Sequence, residues 1–134
     1  MQLELATANG EPLGEFGRVT VADAQSPLGE AVLLRRGVTP AQRYVRTADP
    51  RFQRTDRLRL ELPTDAAGSP SAVLRDRRGA ELPVPLQLAE RADESGTFRW
   101  ILVDVPLISL APADYAVEVV HAGASRMTAF RLTP

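Results

Sequence analysis

The chain of 134 residues holds a single histidine, His121, and no cysteine accompanies it. Zinc sites draw mainly on several imidazoles and thiolates, and a serine relay needs an imidazole placed between two further groups. A lone His in the loop His121-Ala-Gly-Ala-Ser125 cannot complete a zinc set, and it reads as a structural or solvated side chain. Carboxylates are plentiful, with Asp93-Glu-Ser-Gly96, Asp104 and Asp114 as candidates for acid–base work. Each has a plainer reading: a polar hairpin loop, a strand-end charge, and a turn former ahead of Tyr115. No Asp-x-Asp-x-Asp-Gly spacing offers a calcium loop, and neither Gly-x-Gly-x-x-Gly nor a Gly-Lys-Ser/Thr element offers a phosphate cradle. No catalytic, cofactor-binding or metal-binding residue is therefore assigned, and no cofactor is expected.

Two further groups invite a binding role. Arg43, Arg46, Arg51, Arg54, Arg57 and Arg59 form a basic run, interrupted by Asp49 and Asp56 and flanked by only Tyr44 and Phe52 as stacking planes. A nucleic-acid surface wants an uncompensated basic face carrying aromatics, so arginine stems covering apolar surface are the better reading. Trp100 would suit a sugar platform. Its neighbours Phe98, Ile101, Leu102 and Val103 instead predict core packing against a facing sheet.

The elements that must position these residues are strands. Leu110-Ala-Pro-Ala-Asp-Tyr115 followed by Ala116-Val-Glu-Val-Val120 reads as a tyrosine corner, in which a phenol opening a strand returns its hydroxyl to backbone just upstream. Arg57-Leu-Arg-Leu-Glu-Leu62 alternates strictly, putting Leu58, Leu60 and Leu62 on one face. Ala31–Arg35 is a short apolar strand, and residues 37–55 read as a long irregular connection over one sheet. Ser71–Arg75 and Glu81–Leu88 flank the turn Asp76-Arg-Arg-Gly79. Pro83 and Pro85 lack N–H groups on the same side, so Glu81–Leu88 must be an edge strand. Thr97–Val105 is a nearly continuous apolar run and predicts a central strand. Tyr115–Val120 and Arg126–Leu132 form the last hairpin, joined by 121–125. No ten-residue stretch carries a helical period.

At the amino end, Gln2–Thr7, the Asn9-Gly10 turn signal and Glu11–Ala22 predict a β-ribbon over residues 1–22. It belongs either to this core or to the end of a preceding domain. The expected organisation is one domain over 1–134, with that ribbon, a strand and connection over 23–56, and sandwich core strands over 57–134. The start Met1-Gln-Leu-Glu-Leu5 lies inside a strand pattern and lacks a charged-then-apolar leader, so a segment of a longer protein is expected.

Composition bounds the rest. The 44% hydrophobic content is that of a globular chain able to bury roughly two thirds of its unfolded surface. Aromatics are only 5%, so Leu, Val and Ile must fill the core. All 16 basic residues are Arg, and the net charge of −1 gives nucleic acid no default attraction. Nothing approaches a transmembrane span.

From Asp49 onward the order of landmarks is Phe52–Pro63, Leu74–Pro85, Leu107–Tyr115 and Thr128–Leu132. This resembles the C-terminal β-sandwich region of secreted bacterial proteins built around a von Willebrand factor type A-related domain, of the acidobacterial type. Arg18-Val-Thr-Val-Ala-Asp23 resembles the strand leading into that region. The resemblance implies export, to an extracellular or periplasmic location, and an accessory role. It transfers no adhesion motif, since no Asp-x-Ser-x-Ser occurs here.

The expected fold is an all-β sandwich of immunoglobulin or fibronectin type III type. The expected function is non-catalytic: domain packing or protein contact within a larger exported protein, through an uncapped edge opposite Pro83/Pro85 or through the ribbon. The partners would be other domains of the same polypeptide or a separate protein, without nucleic acid or membrane insertion. A carbohydrate-binding module, a filament or surface-layer subunit, and an enzyme subunit with a carboxylate or metal site are the competing readings.

Overall fold

The computed structural model describes residues 26–37 and 43–134. Ten strands carry the chain: β1 Val32–Arg36, β2 Val45–Arg46, β3 Arg51–Gln53, β4 Arg57–Thr64, β5 Ser71–Asp76, β6 Glu81–Leu82, β7 Gln87–Ala92, β8 Arg99–Val105, β9 Ala113–His121 and β10 Ala124–Thr133. They form two five-stranded sheets, in the orders β2-β1-β4-β8-β7 and β3-β10-β9-β5-β6. Every pairing is antiparallel except β3 with β10. The protein is an all-β sandwich, as the alternating patterns predict. The ribbon expected at 1–22 lies outside the described residues.

Alternation explains the core. Leu58, Leu60 and Leu62 of β4 sit opposite Val105, Val103 and Ile101 of β8, so their side chains share the inner face. All six are buried, as are Leu74 of β5 and Val117 and Val119 of β9 in the facing sheet. Phe52, Phe130 and Tyr115 close one end of the core, with ring centroids 6.3 Å apart for the first pair and 5.5 Å for the second. Leu28, in a loop before β1, is fully buried and bridges to Thr64. The adjacent Gly29 must stay small, because a Cβ there would meet the Pro63 ring at 2.6 Å.

Tyr115 Oη donates to the Ala111 carbonyl at 2.6 Å, four residues upstream, as the corner requires. A single 3-10 turn, Leu107–Ser109, carries the chain from β8 into that crossing. The Asp76–Gly79 turn also has the expected form: Gly79 N–H donates to the Asp76 carbonyl at 2.9 Å, with Gly79 at φ 86°.

Three expectations change. The stretch 37–55 carries strands, since β2 extends the first sheet and β3 runs parallel to β10 in the second. Its inward Arg35 neighbour fixes this path: the guanidinium lies 4.1 Å over the Phe52 ring and bonds Asp56 and the carbonyls of Asp49 and Arg51. The segment 81–88 is two strands on different sheets, β6 and β7, with Pro83-Val-Pro-Leu86 crossing between them. Two missing N–H groups end one ladder and delay the next, so both strands are edges. In the last hairpin the connection is only Ala122-Gly123, at φ 53° and 80°, the paired positive values of a two-residue turn. His121 thereby becomes the last residue of β9.

Replacing Tyr115 with Phe keeps the ring and removes only the corner bond. Urea denaturation of Tyr115→Phe is expected to show a loss of about 1 kcal/mol at an unchanged m-value. An unaltered midpoint would mean that the bond contributes nothing to stability.

Candidate functional site

The candidate acids are dispersed, and each has a local duty. Asp93 holds the β7–β8 hairpin, accepting from the Ser95 hydroxyl at 2.7 Å, the Ser95 N–H at 3.0 Å and the Trp100 indole N–H at 3.1 Å. Those bonds, the Ser95 hydroxyl first, hold its carboxyl below the usual range. Asp104 pairs with Arg59 across β4 and β8 at 2.8 Å, which raises the guanidinium further above neutrality. Asp114 pairs with Arg131 at 2.6 Å on the outer face of the second sheet and is likewise lowered by that bond. Glu118, on the same outer face, accepts from Arg75 and Ser125, in that order of effect, and is lowered too. Among the described residues, no three His, Cys, Asp or Glu side chains gather as a metal set.

His121 is 2% exposed and points into the sandwich at the end of β9. Its Nε2 lies 3.1 Å from the Ala66 carbonyl, which can only accept, so that nitrogen carries the proton. The side chain ties the β4–β5 connection to the core. Its role is structural.

Trp100 departs from the expectation. It pairs with Pro63 and Arg91, on the face of the first sheet that also carries Leu102 and Asp104, and that is the outer face. The ring is half-buried there, edge-on to Phe98 at 5.5 Å and with the Arg91 guanidinium 5.9 Å from its centroid. Tyr44 is also half-buried on this face, with Arg59 at 4.3 Å and Arg36 at 5.0 Å from its ring. Both aromatics are thus outward, yet guanidinium groups lie over them where a sugar ring would stack.

The arginine run does not act as one patch. Arg51 folds onto Asp49 at 3.0 Å, Arg59 onto Asp104, and Arg54 donates to the Ile108 carbonyl at 2.8 Å. Arg36, Arg54 and Arg57 have no carboxylate within ion-pair distance among the described residues. These three converge on the largest groove, about 880 Å³, at one end of the first sheet. Its floor is Tyr44, Arg59 and Asp104; its walls are Arg54, Arg57, the crossover Pro83-Val-Pro85 and the 3-10 turn bearing Ile108. The Arg36 Nε is buried without a hydrogen-bond partner among the described residues. Ile108 is 63% exposed. Sequence reading missed this site because its parts lie far apart along the chain; the Arg54–Arg59 cluster was its one visible piece.

A second surface is the outer edge of β7, which among the described residues pairs only with β8. All six of its residues are exposed, and none is proline. Its charges are folded back onto the sheet: Glu90 lies 2.8 Å from Arg99, and Arg91 3.1 Å from the Glu61 carboxylate. Compared with known proteins, the chain matches no family model, no curated protein and no solved structure.

The lowered carboxylates have a consequence for acid stability. Asp49, held down chiefly by Arg51, joins Asp93, Asp114 and Glu118 below the ordinary values of 3.8 and 4.5. Near those values the unfolded chain binds more protons than the folded one, so stability rises with pH through that window. The melting temperature is expected to fall on acidification from about pH 5 towards pH 2, and Glu118→Gln should make that fall shallower. Identical acid profiles for the two proteins would remove Glu118 from this account.

Proposed function

We propose that the chain is an immunoglobulin-like, non-catalytic interaction module, and that it takes up a partner strand along the free edge of β7. The fold half of this reading draws on strand order. In immunoglobulin lettering, β1, β4, β8 and β7 stand where strands A, B, E and D stand in one sheet, and β10, β9, β5 and β6 where G, F, C and C′ stand in the other. Short β3 is then a detached piece of the first strand that has crossed to the second sheet. Tyr115, two residues into β9, occupies the position of the tyrosine corner on strand F. The departures are the absence of a Trp on β5 and of any disulfide.

The observation that carries the functional half is β7 itself. An exposed edge strand presents unpaired N–H and C=O groups, and natural edges are blunted by proline, bulges or outward lysines. Here the prolines stop at Pro85, so Gln87–Ala92 is six residues of unguarded ladder. Main-chain pairing would supply affinity, and alternate side chains specificity. This moves the expected contact from the edges opposite the prolines to the edge just beyond them. The non-catalytic reading is supported by the dispersal of the carboxylates into turns and ion pairs. The secreted setting implied by the resemblance to von Willebrand factor type A-related proteins accords with an accessory module, and is kept as part of the proposal.

The test is site-specific photo-crosslinking in the native host. A photoreactive phenylalanine analogue at Ala92, on β7 but away from the groove lining, is expected to capture a protein partner, whereas the same group at Arg78, in the β5–β6 turn, should not. Leu88→Lys with Ala89→Lys should abolish capture while leaving the melting temperature nearly unchanged. Equal labelling from both positions, or capture that survives the lysines, would sink strand addition at β7.

A further inference from the structure

We infer that the arginine-lined groove at the end of the first sheet is a docking site for an acidic, extended peptide segment of a partner protein. The inference shares with the preceding reading the premise of a protein partner, and its surface meets the β7 edge only at Gln87.

Charge complementarity selects the occupant. The chain carries a net charge of −1, yet this groove gathers Arg36, Arg54 and Arg57 with no carboxylate to answer them among the described residues. The two acids in its lining are already engaged, Asp56 with Arg35 at 3.1 Å and Asp104 with Arg59 at 2.8 Å. An incoming carboxylate would meet guanidinium groups suited to forked, bidentate bonding. The Arg36 and Arg59 guanidiniums are already fixed over the Tyr44 ring, so less freedom is lost when they bind.

The shape of the lining selects a peptide over a small anion. The groove combines charged side chains with apolar surface from Pro83, Val84, Pro85, Pro106 and the exposed Ile108. A volume of about 880 Å³ lies in the upper part of the usual range for ligand clefts. An extended backbone laid against proline and tyrosine would cover that apolar wall while its acidic side chains reach the arginines. Nucleic acid fits less well, because Tyr44, the sole aromatic in the lining among the described residues, is covered by guanidinium and cannot stack with a base.

The test is fluorescence anisotropy with a labelled dodecapeptide of alternating Glu and Pro, its Gln–Pro counterpart, and an oligo-dT of matching length. The Glu–Pro probe is expected to bind with an affinity that falls as salt rises, and the Gln–Pro probe to bind far more weakly. Arg54→Glu with Arg57→Glu should weaken binding by about tenfold or more, since like charges then face the ligand. Arg78→Glu, a charge reversal at a distant turn, should leave it unaltered, as should Leu88→Lys with Ala89→Lys on the β7 edge. Melting temperatures report whether the reversals fold, and Arg54→Gln with Arg57→Gln serves if they do not. No binding of the Glu–Pro probe, equal weakening by Arg78→Glu, or tighter binding of oligo-dT would each overturn the inference. Loss of binding on the β7 lysines alone would move the acidic segment to that edge and refute the groove.

Discussion

A buried phenol whose hydroxyl must find a partner constrains this sandwich more than any other single group. Tyr115 is 8% exposed, stacked on Phe130, and its hydroxyl reaches only the Ala111 carbonyl. Meeting that demand sets the path of the chain between the sheets. The 3-10 turn must deliver Ala111 to the correct height, and β9 must then run with Tyr115, Val117 and Val119 facing inward. Once that parity holds, pairing to β5 and β10 places Leu74 and Phe130 on the same side. A slip of one residue would expose the whole stripe. The same phenol–carbonyl bond therefore specifies both the crossover and the register of the central strand of the second sheet.

Legibility followed the length of the alternating runs. β4, β8, β9 and β10 each span seven or more residues, and their existence and inner faces could be read directly from side-chain periodicity. β2 and β3 span two and three residues, too few to show a period, and β3 is tied to the second sheet by long-range pairing with β10 that no local pattern encodes. Trp100 was misplaced for a different reason. In a run such as Trp-Ile-Leu-Val every residue looks internal, and apolarity does not set parity. Asp104 does: a carboxylate at that position belongs outside, and Trp100 and Leu102 share its face. His121 looked like a loop residue because Ala122 gives no turn signal, although it adopts the left-handed conformation that usually calls for Asn or Gly.

The groove was harder to see for reasons of topology. Its lining comes from β1, the segment before β2, the start of β4, the β6–β7 crossover and the end of β8. Only folding brings Arg36 and Arg57 together, as direct partners across β1 and β4. Two arginines facing each other on adjacent strands repel, and cross-strand like charges are ordinarily avoided. Tyr44 relieves part of this cost by offering its ring to Arg36 and Arg59, but Arg57 receives no such contact.

This arrangement contrasts with the outer face of the second sheet. There Arg75 answers Glu118, Arg131 answers Asp114, and Ser125 closes the remaining carboxylate oxygen. That surface is electrostatically complete by itself, and partly exposed pairs of this kind contribute little beyond keeping the sheet wet. The first sheet pairs Arg59 with Asp104, Glu61 with Arg91 and Glu90 with Arg99, and among the described residues it leaves Arg36, Arg54 and Arg57 without a carboxylate at the end where prolines also interrupt the backbone ladder. Unbalanced charge, an uncovered apolar wall and unpaired backbone thus fall on the same sheet. A fold selected for stability alone would have no reason to leave all three unanswered there, and a partner supplying carboxylates and a strand would answer each of them.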